Sequence, residues 1–374
     1  MDDELRIVIS GGGTGGHIFP AIAIANAVRE MRPEAKILFV GAIGRMEMQR
    51  VPAAGYEIKG LPISGFDRKN PLRNIKVLYK IWQSQRIAEG IIREFRPMVA
   101  VGVGGYASGP MLNKCASHGI PCLIQEQNSY AGVTNKLLAK KASVICVAYD
   151  GMDRFFPEEK IVMTGNPVRQ QLLECALTPH EAALSFGLVP GKKTILVVGG
   201  SLGARTINEC MLSHLDEIAA SGVQFIWQTG RYYSAEIAER LKTHEPLPML
   251  KVMDFITDMG AAYKTADMVI SRAGASSISE LCLLGMPALL IPSPNVAEDH
   301  QTKNALALVD KEAALYISDA DAPETAIPTA IDTVNNDSKL RELSDNIRML
   351  ARPGAARSIA AEVIKLAEGR GHDS

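Results

Sequence analysis

Two stretches of this chain follow one local plan. IVISGGGTGGH (7–17) and ILVVGGSLGAR (195–205) each run from a short apolar strand through a glycine turn into a helix-like segment. After the first opening, KILFVG, MVAVGV, CLIQE and SVICVAY read as further strands; after the second come QFIWQTG, LKVMDF, ADMVISRAG and ALLIPSP. Apolar runs without polar alternation belong to strands covered on both faces, and the segments between them carry helical periodicity. Such alternation predicts parallel sheets with helices on both sides. With 374 residues the chain has room for two domains. The expected fold class is therefore α/β, with two doubly wound Rossmann-like domains facing each other across a cleft. The crossover falls near GNPVRQQLL (165–173). The tail RPGAARSIAAEVIKLAEG sets Ile359, Val363 and Leu366 on one face of a last helix, which is expected to return to the first domain. The predicted boundaries are 1–165, 166–350 and 351–374.

Composition narrows the functional classes. The formal net charge is −1, which gives no general field for a nucleic-acid backbone. The acidic start MDDELRI lacks the pattern of a secretory signal, and no apolar run approaches bilayer-spanning length. Cys115, Cys122, Cys146, Cys175, Cys210 and Cys282 are irregularly spaced without a CxxC pair. Free thiols in a reducing compartment fit that spacing better than disulfides or zinc. The seven histidines form no HxxxH pair, so no protein-built metal site is expected.

Glycine after a strand lets a backbone approach a ligand, while the following helix start offers free N–H groups to an anion. Four loops have this character: SGGGTGGHI, GVGGYASGP, GGSLGAR and SRAGASSISE. Gly11, Gly13 and Gly16 satisfy GxGxxG, yet the acidic ribose ligand expected after the second strand is replaced by Val40 and Gly41. There is no GK[ST] either. Glu280, one turn into the helix after SRAGASS, can instead accept hydrogens from a ribose diol. His300, Gln301 and Asn304 in EDHQTKNA suit sugar hydroxyls, as they also suit helix capping.

SGGGTGGHIFP, GVGGYASGP, EQNSYAGVTNK, GNPVR, GGSLGAR, DFITDM, SRAGASSISE and HQTKNA occur in the order and near the spacing of the MurG family, which the chain resembles from about Ile7 to the final helix. The resemblance implies a GT-B fold and an inverting, metal-independent transfer without cofactors. The donor would be UDP-N-acetylglucosamine and the acceptor lipid I, a polyprenyl-diphosphate N-acetylmuramyl peptide. The products would be lipid II and UDP, made at the cytoplasmic face of the plasma membrane by a peripheral protein. Carried over by position, Thr14, Gly15 and Gly16 would contact a diphosphate beside His17, and Asn128 would lie near the transferred sugar. Gly104, Gly105, Tyr106 and Ser108 would form an acceptor loop. Arg169 and Ser201 would serve the donor side, and Ile256 would offer backbone groups to the uracil edge. Ala275, Ser276, Ser277, Ile278, Ser279 and Glu280 would hold diphosphate and ribose, with Gln301 on the sugar hydroxyls. Two positions depart from the family pattern: Leu202 replaces a common glutamine, and His300 replaces a second glutamine found in some members.

Direct displacement needs a base, and His17 is the candidate, with contact to acceptor phosphate as its other reading. A sole DxD, Asp319-Ala320-Asp321, sits beside a proline and reads as a loop with capping acids. For membrane contact, the stretch GFDRKNPLRNIKVLYKIWQSQRIAEGIIREFRP carries Arg68, Lys69, Arg73, Lys76, Lys80 and Arg86 among Ile75, Leu78, Tyr79, Ile81 and Trp82. Basic groups beside an apolar face suit an anionic bilayer, although much of that face also suits packing on the protein's own sheet. The rival readings are an NAD-dependent oxidoreductase, a UDP-sugar 2-epimerase and a non-catalytic sugar-nucleotide sensor.

Overall fold

The computed structural model describes residues 4–65, 74–168, 172, 175–200 and 202–369. It comprises two compact units, Met1–Val168 with Arg352–Ser374, and Arg169–Ala351.

The first unit is built on seven strands: β1 (Arg6–Ser10), β2 (Lys36–Ala42), β3 (Glu57–Leu61), β4 (Val99–Gly102), β5 (Cys122–Glu126), β6 (Val144–Val147) and β7 (Ile161–Met163). They pair in parallel in the order β3-β2-β1-β4-β5-β6-β7. Alternate residues of a strand face opposite ways, and here both faces are buried. Ile7 and Ile9 pack under the helices Gly15–Met31 and Ala355–Gly369, with Ile24, Val28, Ile359 and Val363. Val8 turns to the other side, into a core with Ala88, Met111 and Leu112 from the helices Asn74–Phe95 and Ser108–Ser117. The last helix thus rests on the helix that follows the first glycine loop, and Arg32 and Glu368 form an ion pair near their ends.

The second unit has six strands: β8 (Thr194–Val198), β9 (Gln224–Gln228), β10 (Leu250–Met253), β11 (Met268–Ser271), β12 (Ala288–Leu290) and β13 (Leu315–Tyr316). Their order is β10-β9-β8-β11-β12-β13, again parallel. Trp227 is fully buried in its core, and the indole N–H donates to Asn208 Oδ1 at 3.0 Å, satisfying the one polar atom of the ring.

In each sheet the strand order reverses direction once, between β1 and β4 and between β8 and β11. Connections diverge at such a point and leave a crevice beyond the carboxyl ends of the two strands. All four glycine loops occupy these positions: 10–18 follows β1, 102–110 follows β4, 199–205 follows β8 and 271–280 follows β11.

Candidate active site

In the first unit the two glycine loops touch backbone to backbone. A Cβ added to Gly105, whose φ is +86°, would lie 2.4 Å from the carbonyl oxygen of Gly12, so only glycine permits the approach. His17 lies in the first turn of Gly15–Met31, half-buried, with Nδ1 3.0 Å from the Gly12 carbonyl oxygen. A carbonyl only accepts, so Nδ1 carries the proton and Nε2 is the basic nitrogen of the neutral ring. Nε2 points at the second loop; a Cβ on Gly104 would be 2.8 Å from it. Thr14 is the extended N-cap residue, exposed, with Oγ1 3.4 Å from His17 Nδ1. The exposed Gly16 and half-buried Gly15 occupy the first two helical positions, where backbone N–H groups have no intrahelical acceptor. Tyr106 is half exposed, and its ring lies over Gly65. Ser108 is fully buried; its hydroxyl reaches the carbonyls of Ser10 at 2.7 Å and Gly104 at 2.9 Å, so it braces the loop from beneath.

Asn128 is held by a carboxylate that its motif does not single out. Glu126, 1% exposed, accepts from the Asn128 amide and side chain at 3.1 and 3.2 Å. Its other oxygen accepts from Gly132 N–H at 2.9 Å and Asn135 Nδ2 at 2.8 Å. The loop 126–135 is therefore wound around one buried charge.

The second unit contains a cavity of about 430 Å³, lined by Gly199, Gly200, Tyr263, Arg272, Ser277, Ser293 and Gln301 among others. That volume suits a small-molecule ligand. The helix Ala275–Leu284 begins here after an extended Gly274 and directs its N-terminal dipole at the space. Ser276 and Ser277 are half-buried at this start, Ala275 and Ile278 face the core, and Ser279 Oγ bonds back to the Ala275 carbonyl at 2.9 Å. Glu280 is 6% exposed and accepts from the hydroxyl of Tyr263, itself a lining residue, at 3.3 Å. Gln301 Oε1 accepts from Ser293 N–H at 2.9 Å, which aligns its amide in the cavity wall. Asn304 is fully buried and donates to the Ala273 carbonyl at 3.3 Å, bracing the loop ahead of Ala275. His300 is half-buried at the start of its helix, and Leu202 is exposed.

Ile256 is buried, and its N–H donates to Gln228 Oε1 at 2.8 Å. Gln228 Nε2 donates in turn to the Gly200 carbonyl at 3.1 Å. Gln228 thus ties the DFITDM turn to the glycine loop after β8. Both carboxylates of the DxD are committed to protein groups: Asp319 pairs with Arg272 and accepts from Thr206 at 2.9 Å, and Asp321 accepts from Ser318 Oγ at 2.5 Å. Among the described residues no cluster of three or more His, Cys, Asp or Glu side chains is arranged for a metal.

Arg169 and Ser201 lie outside the described residues, as do Arg68, Lys69 and Arg73 and the side chains of Ile75 and Lys76. On Asn74–Phe95, Val77 is buried and Ile81 packs on the core, whereas Leu78, Tyr79 and Trp82 are exposed at 59, 62 and 52%. The Arg86 guanidinium lies 5.0 Å from the Trp82 ring. No helix among the described residues is long and apolar enough to cross a membrane.

Models of the glycosyltransferase family 28 N-terminal and C-terminal domains match residues 7–147 and 194–359. A Phocaeicola vulgatus protein named UDP-N-acetylglucosamine--N-acetylmuramyl-(pentapeptide) pyrophosphoryl-undecaprenol N-acetylglucosamine transferase is 65% identical, over 98% of each chain. A Bacteroides thetaiotaomicron protein of the same name is 64% identical, over 98% of this chain and 99% of its own. The crystal structure of Acinetobacter baumannii MurG superposes with a TM-score of 0.77 at 27% identity, covering 96% of this chain and 99% of that one. A UDP-N-acetylglucosamine 2-epimerase shares the fold alone, with a TM-score of 0.64 at 12% identity, covering 97% of this chain and 96% of that one.

Proposed function

The chain belongs to glycosyltransferase family 28, and from that membership we infer its reaction. It is an N-acetylglucosaminyltransferase that uses UDP-N-acetylglucosamine to convert lipid I, the undecaprenyl-diphosphate N-acetylmuramyl pentapeptide, into lipid II in peptidoglycan synthesis. Its fold is GT-B. The observation that carries the reading is the likeness to the transferases over nearly the whole chain.

The finer assignments are ours. The donor belongs to the second unit, with diphosphate at the start of Ala275–Leu284, ribose on Glu280 and uracil at the Ile256 turn. The acceptor diphosphate belongs to the loop Thr14–Gly16. The acceptor's 4-hydroxyl oxygen attacks the anomeric carbon and gives its proton to His17 Nε2. The bond from that carbon to the β-phosphate oxygen breaks, its electron pair leaves with UDP, and the anomeric configuration inverts. Helix N-terminal amides supply the positive potential for the departing diphosphate. Leu78, Tyr79 and Trp82, with Lys80 and Arg86, set the protein against the anionic inner leaflet as a peripheral protein.

Incubation with radiolabelled UDP-N-acetylglucosamine and a short-chain lipid I analogue tests the reaction. The label is expected in a lipid-linked disaccharide. Release of an epimerised or free sugar, or no turnover, contradicts it.

A further inference from the structure

Glu47 opens the short helix Glu47–Ala53 after β2, in the stretch GRMEMQRVPA, and is only 1% exposed. A carboxylate is costly to bury and persists where hydrogen bonds replace its water. Oε2 accepts from the N–H of Gly13 at 2.9 Å, and Oε1 accepts from the N–H of Ala42 at 3.0 Å. Its bulk fills space that two glycines leave. A Cβ on Gly12 would stand 2.2 Å from the carboxyl carbon, and one on Gly41 would stand 2.5 Å from Cγ. The carboxylate therefore pins the opening loop to the end of β2 at the residue adjoining Gly12, whose carbonyl orients His17. The loop's Gly13 N–H faces inward to Glu47, which assigns anion contact to the amides further along, at Gly15 and Gly16.

We propose that Glu47 is a positioning residue for the acceptor side of the transfer, acting through Gly12 and Gly13 on His17 and on the diphosphate loop. The inference rests on the assignment of acceptor diphosphate and proton transfer to that loop. In Glu47→Gln the shape is kept, but an amide NH₂ must face one of the two backbone donors. With the short-chain lipid I analogue, kcat is expected to fall about 10- to 100-fold, the range of a small misplacement at a reacting group, and the acceptor KM to rise. The KM for UDP-N-acetylglucosamine is expected to stay within about twofold, because the donor is assigned to the second unit, whereas uniform loss of folded enzyme would change neither KM. Glu47→Asp keeps the charge one methylene short and should show the same split. Wild-type kcat and acceptor KM in Glu47→Gln, beside a His17→Ala variant that has lost turnover, overturns the inference and leaves the site assignment standing. A His17→Ala variant with unchanged kcat and acceptor KM removes the site assignment and the inference with it. Equal damage to donor and acceptor parameters, or loss of fold in both Glu47 variants, makes Glu47 a determinant of the fold and also overturns the inference.

Discussion

His17 Nδ1 donates to the carbonyl oxygen of Gly12 at 3.0 Å. This single bond fixes the tautomer and leaves the basic nitrogen on the side of the second glycine loop, where Gly104 makes room for it. His17→Ala is therefore expected to lower kcat about 10²- to 10⁴-fold at saturating substrates, the usual worth of a general base. Steady-state kinetics with the soluble acceptor decides this. A raised acceptor KM with near-normal kcat would instead assign the ring to phosphate binding.

Glu280 pairs with Tyr263 beside the cavity of the second unit. Its carboxylate is assigned to the ribose diol, and a hydrogen bond to a charged group is worth about 1.5–3 kcal/mol. Glu280→Gln should raise the KM for UDP-N-acetylglucosamine about 10- to 100-fold and leave the acceptor KM unchanged. Titration calorimetry with UDP checks the same point without turnover. Unchanged UDP affinity would move the ribose elsewhere.

Leu78, Tyr79 and Trp82 present apolar surface to solvent beside Arg86. Such a face gains from both acyl-chain contact and anionic headgroups, at about 1 kcal/mol per basic residue near the surface. Replacing Leu78 and Trp82 together by glutamate should abolish flotation with anionic vesicles at low salt. Turnover of the short-chain acceptor should persist. Undiminished flotation would place membrane contact on another face.

Burial pushes the thiols of Cys122, Cys146 and Cys210 up to about 12. At pH 8 the thiolate fraction is then about 10⁻⁴, and the groups are also shielded. Iodoacetamide should spare these three in the native protein and reach half-buried Cys175 first, with the others reacting only after denaturation. Mass mapping of the labelled peptides reads this directly. Rapid native labelling of Cys146 would contradict its place in β6, with its side chain in the core of the first unit.

The inner strands are legible because covering on both faces demands apolar runs such as IVI in β1 and ILVV in β8. The strands that periodicity does not reveal, β3, β7 and β13, lie at sheet edges, where among the described residues one flank has no partner strand and partial exposure admits residues such as those of EIKGL. The glycine loops were legible for a related reason: close backbone approach leaves a compositional trace. Their supports left none. Glu47 lies 34 residues from Gly13, and Gln228 lies 28 from both Gly200 and Ile256. Glu126 is the first residue of the quoted motif EQNSYAGVTNK, yet a buried carboxylate and an exposed one look alike in sequence. Asp319 shows the same limit from the other side, since only its partners Arg272 and Thr206 reveal that it is occupied.

The most direct measurement is a crystal structure of the protein with UDP bound. Uracil is expected at the Ile256 turn, ribose hydroxyls on Glu280 and diphosphate oxygens at the amides opening Ala275–Leu284. A uridine lodged away from Ile256 and Glu280 would contradict it.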